Sequence, residues 1–240
     1  MSDRVPAPGE ATTERVKGIF SSIAGRYDTF NTLASMGIDR SWRTALVKAA
    51  ALGPESRVLD LAAGTGDVTL ALATQASPAE VVATDITPEM LVIAERKAGS
   101  YAGPTRLTFR EADAQELPFP DDSFDVVTVA FGVRNFPDRS RNFAEVLRVL
   151  KPGGRYVILE FSTPGFAPWR GVYHVYLRGV IPTIGGALTG DRPSFVYLND
   201  SIRRFPTQER LAAELRRAGF SAISWKDLTG GIVALHTAVK

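Results

Sequence analysis

Two stretches stand out in the sequence: Arg57-Val-Leu-Asp-Leu-Ala-Ala-Gly-Thr-Gly-Asp-Val-Thr69 and Val81-Val-Ala-Thr-Asp85. In each, a run of apolar residues ends on a carboxylate, Asp60 in the first and Asp85 in the second. A loop of small residues follows Asp60, and a helical pattern begins at Asp67. Strands that lead into helices in this way predict adjacent βα units, and open α/β sheets bind ligands at the carboxyl ends of such strands.

The loop after Asp60 consists of residues with small side chains. Gly64 and Gly66, with Ala62 before them, let a ligand approach the backbone closely. A dinucleotide site has the pattern Gly-x-Gly-x-x-Gly, and the third glycine is missing here. The spacing instead resembles the first motif of S-adenosylmethionine (SAM)-dependent methyltransferases, in which the acid and the loop hold the amino acid part of the cofactor. Asp85 can accept hydrogen bonds from both hydroxyls of a ribose. The alternative is a tight βα turn that merely needs glycine.

Composition narrows the function classes. At 240 residues, 45% of them hydrophobic, the chain is predicted to be one domain, residues 1–240. Its net charge of +2 does not indicate nucleic-acid binding. The absence of cysteine excludes disulfides, thiolate chemistry and cysteine-ligated metals, and two histidines are too few to suggest a histidine metal centre.

The amino-terminal residues 1–17 are polar and lack the apolar core of a signal peptide. The apolar runs, such as Val126 to Val133, are far shorter than the roughly 20 residues that a spanning helix needs. We therefore expect a cytoplasmic protein, with contact to a membrane surface left open.

β-rich runs and helical periods alternate along the middle of the chain. Strands are predicted at Arg57–Leu61, Glu80–Ile86, Arg106–Glu111, Phe124–Phe131 and Arg155–Phe161, with helices beginning near Asp67, Thr87 and Arg139. This alternation predicts a mostly parallel sheet with helices on both faces.

The two ends of the chain differ from this middle part. Helices at Thr12–Ser22 and Ile38–Leu52 predict an amino-terminal helical cap, residues 12–52. After a helix at Thr207–Ala218, two short β-rich runs, Ala222–Leu228 and Ile232–Val239, predict an antiparallel hairpin.

Between the predicted strand Arg155–Phe161 and the predicted helix Thr207–Ala218, the alternation of strands and helices stops. Residues 162–193 hold four prolines and many aromatic residues. Such aromatic content is costly to leave in water, so we predict an inserted substrate cap, residues 163–204, rather than a solvated linker.

Further motifs carry a family resemblance. They are Tyr27-Asp-Thr-Phe-Asn31, Asp39-Arg-Ser-Trp-Arg43, Asp113-Ala-Gln-Glu-Leu-Pro-Phe119, Phe131-Gly-Val-Arg-Asn135, Arg148-Val-Leu-Lys-Pro-Gly-Gly-Arg155 with Leu159-Glu-Phe-Ser162, Tyr197-Leu-Asn-Asp-Ser-Ile202 with Phe205-Pro206, and Gly230-Gly-Ile-Val-Ala-Leu-His236. Together they resemble the C-methyltransferases of menaquinone and ubiquinone biosynthesis, which include the demethylmenaquinone methyltransferases. The motif that contains Leu-Lys-Pro-Gly-Gly is common among methyltransferases, whereas the Phe131 and Gly230 motifs are far more specific to this family.

The resemblance implies an α/β fold of the class I SAM-dependent methyltransferase type, with a seven-stranded, mostly parallel sheet whose last strand is antiparallel. It implies SAM as the cofactor and assigns positions around it. Asp60 and Ala62 belong to its first motif, Gly64, Thr65 and Gly66 contact the methionine end, Asp85 contacts the ribose, Asp113 and Ala114 flank the adenine, and Ala130 lies beneath the reactive end. Many relatives have serine at position 130, so the hydrogen bond of that hydroxyl is missing here. A loop-capping role is the alternative for Asp113.

The implied reaction methylates a ring carbon of a hydroquinone, which becomes nucleophilic when the adjacent hydroxyl is deprotonated. Arg134 would stabilise the phenolate, directly or through an activated water, although a guanidinium is a poor proton acceptor. Asn135 would orient the ring oxygen and Tyr27 would close over the cofactor. His236 would serve as a base if its strand faced the pocket. The alternatives are an Arg134–Asp138 ion pair and a purely structural histidine.

A polyprenyl quinol substrate would need an apolar groove. The aromatic residues of the insertion, with Arg170 and Arg178 beside them, suit a lip that faces a membrane, while a homodimer contact or simple lid packing would explain them equally well. The short amino terminus, without a mitochondrial presequence, favours demethylmenaquinol over a polyprenyl-methoxybenzoquinol. An oxidoreductase, a nucleic-acid methyltransferase and a non-catalytic cofactor-binding scaffold are the rival classes. The first two lack their motifs here, and no nucleic-acid partner is predicted.

Overall fold

The computed structural model describes residues 12–189 and 192–240. Residues 1–11 and 190–191, which belong to the predicted amino-terminal segment and insertion, lie outside this description. The strands are β1 Arg57–Leu61, β2 Glu80–Asp85, β3 Arg106–Glu111, β4 Phe124–Ala130, β5 Leu150–Phe161, β6 Ser221–Leu228 and β7 Val233–Val239. The helices are α1 Thr13–Ile23, α2 Tyr27–Ser35, α3 Asp39–Ala50, α4 Asp67–Ala76, α5 Pro88–Ala98, α6 Arg139–Val149, α7 Ala167–Val175, α8 Ile181–Thr189, α9 Arg192–Arg204 and α10 Gln208–Ala218.

All seven strands form one sheet in the order β3-β2-β1-β4-β5-β7-β6. Strand β7 runs antiparallel to both of its neighbours, and the other pairs are parallel. This confirms the predicted fold, including the antiparallel last strand and the carboxyl-terminal hairpin. The strand order reverses between β1 and β4, which pair through Asp60 and Thr128. Ligands of open α/β sheets bind outside the carboxyl ends of strands at such a point.

Apolar cores cover both faces of the sheet. On one face Leu59 and Phe124 pack with Phe143 of α6 and Leu215 of α10. The other face packs against α3 and α4 through residues that include Trp42. A third cluster lies beyond the sheet and joins α2 to the insertion; its buried members are Phe30, Tyr173, Leu177, Ile181, Phe195 and Ile202. This third cluster fixes the amino-terminal cap against the insertion.

The insertion is more helical than its sequence indicates. Helices α7 and α8 are joined by a π-helical turn, Tyr176–Val180, and α9 follows. Pro168 and Pro193 each occupy the second position of a helix, where a missing backbone N–H costs nothing because it has no intrahelical partner, whereas Pro182 directly follows the π-helical turn. No helix in residues 12–189 or 192–240 is both long and apolar enough to cross a membrane.

Strand β5 begins earlier than predicted, at Leu150 instead of Arg155. Phe124 pairs with Leu150, and the register then shifts so that Val126 pairs with Arg155. The intervening residues bulge out of the ladder, with Gly153 in the left-handed region at φ 77°. The glycines that signal the end of the preceding helix therefore also form a β-bulge.

Candidate active site

A cavity of about 80 Å³ opens at the carboxyl ends of β1, β2 and β4. Six of the nine predicted cofactor residues line it, namely Ala62, Gly64, Asp85, Asp113, Ala114 and Ala130. The other three, Asp60, Thr65 and Gly66, do not line the cavity wall. The strand ends thus bring the predicted cofactor residues together in one place, which we call the cofactor cavity.

The two glycines of the loop have different roles. Gly66 adopts φ 82°, and a Cβ atom there would lie 2.9 Å from Cβ of Ala94 in α5, so this glycine permits close packing of the loop on the helix. Gly64 adopts φ 55°, and the nearest atom to its Cβ position is Cε1 of Tyr27 at 3.9 Å. Gly64 therefore keeps the wall of the cavity open, and both glycines need the left-handed backbone region.

Asp85 faces the cavity with acceptor capacity to spare. Its Oδ2 accepts the Gly64 N–H at 2.8 Å, and its Oδ1 accepts the Thr87 N–H at 2.8 Å. A carboxylate oxygen has two lone pairs, so each oxygen can accept one more hydrogen bond. This matches the two hydroxyls of a ribose. Burial raises the pKa of Asp85 above its ordinary value.

Asp60 is buried beneath the loop. It accepts hydrogen bonds from the hydroxyls of Thr69 at 2.6 Å and Thr128 at 2.8 Å. Burial raises the pKa of Asp60 to about 6, although both hydroxyls act in the opposite direction. Because it has no direct opening to the cavity, its contribution is a negative charge beneath the amino acid end of the predicted cofactor site.

Asp113 lines the far end of the cofactor cavity. Its carboxylate accepts the backbone N–H of Gln115 at 2.8 Å and the side-chain amide of the same residue at 3.2 Å. Asn142 fixes the adjoining segment by donating to the carbonyl of Ala114 at 2.8 Å. Asp113 thus has the loop-capping contacts, and its role toward an adenine stays a prediction.

The amino-terminal cap closes over the glycine loop. Thr65 donates its hydroxyl hydrogen bond to Asp28 of α2 at 2.5 Å. Lys97 of α5 lies 2.5 Å from Asp28 and 2.8 Å from Asp67. This cluster explains why Thr65 does not face the cavity. The contribution of Lys97 had no signal in the sequence, because a lysine in the last turn of a helix is common.

A second, larger space of about 420 Å³, which we call the apolar groove, lies between the cap and the insertion. Its walls include Trp42, Phe161, Trp169 and Tyr173. The groove and the cofactor cavity share four lining residues, Phe20, Tyr27, Phe131 and Asn135. The groove and the cofactor cavity are therefore adjacent at these residues.

Arg134 lies in the groove wall and forms a buried ion pair. Its Nη1 donates to Oε1 of Glu160 at 2.7 Å, with side-chain exposures of 4% and 1%. Nη1 also donates to the Phe131 carbonyl, whereas Nε has no partner. The pair with Asp138 that the sequence left open is not formed, because Asp138 caps α6 by accepting backbone N–H groups. Glu160 was not among the site residues predicted from the sequence.

Asn135 and Tyr27 lie where the two spaces meet. The Asn135 side chain donates to the Phe131 carbonyl at 3.5 Å and accepts from the Tyr197 hydroxyl at 3.4 Å. Burial raises the pKa of Tyr27, and the nearby charge of Arg134 opposes this. Both residues are therefore placed to contact a ring that enters from the groove.

His236 lies away from the site. Its Nε2 is 3.2 Å from the Gln208 carbonyl, its ring stacks on Trp225, and it lines neither the cofactor cavity nor the apolar groove. Burial lowers its pKa, which keeps the ring neutral. The condition for a role as base, a strand side facing the pocket, is not met.

Comparison with known proteins agrees with this geometry. A sequence model of the ubiE/COQ5 methyltransferase family matches residues 9–240. A demethylmenaquinone methyltransferase from Thermus thermophilus is 47% identical over 91% of this chain and 98% of its own length, and one from Clavibacter sepedonicus is 46% identical over 94% and 90%. A ubiquinone/menaquinone biosynthesis C-methyltransferase UbiE from Geotalea daltonii is 44% identical over 95% and 97%.

Solved structures share the fold at low sequence identity. The [4+2]-cyclase SpnF has a TM-score of 0.70 with 19% identity, over 95% of this chain and 96% of that one. A SAM-dependent methyltransferase from Thermotoga maritima, described as a possible histamine N-methyltransferase, has a TM-score of 0.65 with 20% identity, over 93% and 98%. At these identities the likeness supports the fold alone.

Proposed function

The chain belongs to the ubiE/COQ5 methyltransferase family of SAM-dependent C-methyltransferases, and from this we propose that it methylates a ring carbon of a polyprenyl demethylmenaquinol. One observation carries the proposal: a cavity with a ribose-type carboxylate meets a large apolar groove at Tyr27 and Asn135. The cavity suits the methyl donor. The groove suits an acceptor that carries a long hydrocarbon tail.

The chemistry assigns roles to the residues at the junction. SAM held in the cofactor cavity would supply the methyl group to the ring carbon, its sulfur would keep the electron pair of the broken bond, and the ring carbon would then release its proton to water and regain aromaticity. The adjacent oxygen must carry negative charge for this transfer. Arg134 would donate a hydrogen bond to that oxygen, and its Nε–H is a donor with no protein partner. Asn135 would orient the oxygen, and Tyr27 would cover the donor.

The naphthoquinol is favoured over the benzoquinol by two considerations. The relatives from Thermus thermophilus and Clavibacter sepedonicus are named for demethylmenaquinone, and the relative from Geotalea daltonii is named for both quinones. The menaquinone reaction is thus common to all three names. The groove walls around Trp42, Phe131 and Phe161 are aromatic, which suits a fused ring.

We expect the protein to transfer a labelled methyl group from SAM to demethylmenaquinol roughly tenfold or more faster than to the methoxybenzoquinol, because an apolar pocket discriminates by contacts with the extra ring. The measurement is label in the extracted quinone, with each quinol supplied separately. The oxidised quinone is the control, since it has no hydroxyl to ionise and should stay unlabelled. Faster labelling of the benzoquinol would contradict the choice of ring, and no labelling of either would contradict the function.

The mouth of the groove carries exposed apolar side chains. Met36 is 78% exposed and Val172 59% exposed, and both line the groove, while Val175 on the same helix is 71% exposed. Burial lowers the pKa of the neighbouring His174, and the charges of Arg203, Arg178 and Arg170 lower it further. Apolar side chains flanked by arginines suit a surface of anionic lipids. We propose that this rim contacts the membrane that holds the polyprenyl substrate.

Replacing Met36, Val172 and Val175 together by serine should weaken binding to anionic vesicles roughly 100- to 200-fold, since each lost contact contributes about 1 kcal/mol. Co-sedimentation with vesicles measures this. Val92→Ser is the matched control, because Val92 is 54% exposed on α5 and does not line the groove. Unchanged vesicle binding would contradict the membrane assignment and favour simple lid packing. Loss of a dimer in sedimentation velocity, in place of an effect on vesicle binding, would favour a homodimer contact.

A further inference from the structure

The boundary between the cofactor cavity and the apolar groove is largely aromatic. Of the four residues that line both spaces, three are aromatic: Phe20 of α1, Tyr27 of α2 and Phe131 after β4. The rings of Phe20 and Tyr27 meet edge to face with centroids 5.9 Å apart. We call these three residues the aromatic collar. They come from separate parts of the chain, so the collar exists only in the folded protein.

This inference rests on the proposed function, which places the reacting methyl group at the collar. With the donor on the cofactor side and the acceptor on the groove side, transfer would take place at the residues that line both spaces. The methyl group of SAM is bonded to a sulfonium, which carries a positive charge. The faces of aromatic rings are negative and attract cations.

No carboxylate in the described walls competes for that role. The carboxylates that line either space are Asp39, Asp85 and Asp113. Asp39 is paired with Arg43 at 2.7 Å, and the other two carboxylates lie toward the predicted ribose and adenine ends. Two buried acids lie near these walls without lining them: Glu160 is engaged by Arg134, and Asp60 accepts two threonine hydroxyls. Among these groups, the aromatic rings of the collar therefore remain to interact with the sulfonium.

Phe131 shows that the position of its ring is tightly held. Its backbone has φ 57°, a left-handed conformation that a bulky residue rarely adopts. The Phe131 N–H donates to the Leu159 carbonyl at 2.8 Å, and its ring packs between Trp42 and Phe161, with centroids 6.0 and 4.6 Å away. Strain of this kind persists at functional sites because the surrounding structure enforces it.

We propose that the aromatic collar of Phe20, Tyr27 and Phe131 binds the sulfonium through cation–π contacts and so distinguishes the charged methyl donor from the neutral product. When the methyl group leaves, the sulfur keeps the bonding electron pair and loses its charge. The attraction to the rings ends at the same moment. The collar thus favours donor over S-adenosylhomocysteine and assists exchange of the product for fresh donor.

Dissociation constants for SAM and S-adenosylhomocysteine, measured without any quinol, test the collar. Phe20→Leu and Phe131→Leu should each weaken SAM binding about 5- to 30-fold and change S-adenosylhomocysteine binding less than about twofold, because leucine keeps apolar contact but has no ring face. Phe136→Leu is the matched control. Phe136 lines the cofactor cavity but not the groove, so both ligands should be affected equally.

Two further measurements separate charge from size. Tyr27→Phe should retain the wild-type preference for SAM and Tyr27→Leu should lose it, since only the first keeps a ring. An aza analogue with an N-methyl amine in place of the sulfonium keeps its methyl group while its charge is titrated. The affinity of the analogue for the wild-type protein should fall when its amine deprotonates. Its affinity for Phe20→Leu should fall much less.

The collar is contradicted if Phe20→Leu and Phe131→Leu, shown to be folded by their thermal unfolding, keep the wild-type ratio of the two dissociation constants. It is also contradicted if the aza analogue binds the wild type equally well with and without its charge. Because no acceptor enters these experiments, either failure is distinct from a failure of the proposed quinol methylation.

Discussion

Replacing Glu160 by alanine is expected to lower the free energy of unfolding by about 3–5 kcal/mol, the usual cost of leaving one member of a buried ion pair without its partner. Glu160 is 1% exposed and accepts the Arg134 guanidinium at 2.7 Å and the Phe161 N–H at 2.8 Å. In the variant the buried guanidinium keeps its charge but loses its only ion-pair partner among the described residues. Urea denaturation followed by circular dichroism measures the change.

A second substitution tests the cause. The double variant Glu160→Leu with Arg134→Met should recover most of the stability, because no unpaired charge remains, yet it should be inactive in methyl transfer. The control is Glu116→Ala, which breaks the exposed Glu116–Arg141 pair and should cost about 1 kcal/mol or less. A Glu160→Ala protein as stable as Glu116→Ala would show that the pair is not what holds Arg134 in the groove wall.

The parallel part of the fold was predictable because its signals are local. Each of the strands β1 to β4 is a short apolar or β-rich run followed by turn residues, so periodicity alone locates it. The helices of the insertion differ in where their apolar residues pack. Their apolar residues pack mainly on α2 and on one another, as Phe30 and Phe195 do with ring centroids 4.4 Å apart, and contact the sheet through Phe161 of β5. Prolines in the segment predict breaks, although Pro168 and Pro193 lie in the first turns of helices.

Three residues of the cofactor cavity, Ala62, Gly64 and Asp85, were predictable for a similar reason: they belong to one continuous loop and a neighbouring strand end. The environment of Arg134 was not, because Glu160 lies 26 residues further along the chain and reaches it through the pairing of β4 with β5. One signal was present. A carboxylate inside the apolar run that ends at Phe161 is costly to bury unless it is paired, so it calls for a partner.

His236 shows what a sequence motif could not predict. The motif around it resembles the family motif, but which face of the sheet its side chain occupies depends on the register of β7. A shift of one residue exchanges the faces. In the structure His236 pairs with Ile158 and Trp225, and its ring turns toward Gln208 at the start of α10. Sequence likeness could locate this residue on a strand, but not beside the groove.

Asp85→Ala should weaken SAM binding about 10²- to 10⁴-fold, because it removes two hydrogen bonds from ribose hydroxyls to a charged acceptor, each contributing about 1.5–3 kcal/mol. Calorimetric titration measures the affinity. A cofactor analogue that lacks one ribose hydroxyl supplies the control: it should bind the wild type more weakly than SAM does, and Asp85→Ala should no longer distinguish the two. An Asp85→Ala protein that still prefers SAM over the analogue would place the ribose elsewhere.

The same site predicts how binding depends on pH. Burial raises the pKa of Asp85 and raises that of Asp60 to about 6, from an ordinary value of 3.8. The folded protein therefore retains protons that the unfolded chain has released, so the stability that these groups contribute falls as the pH rises from about 4 to about 6. The cofactor is cationic and binds the ionised carboxylates, so its affinity should rise over that window and level off above it. In Asp60→Asn, the part of the increase in SAM affinity that comes from Asp60 should be absent. A wild-type affinity that is already constant from about pH 5 upward would mean that neither carboxylate changes charge at the site.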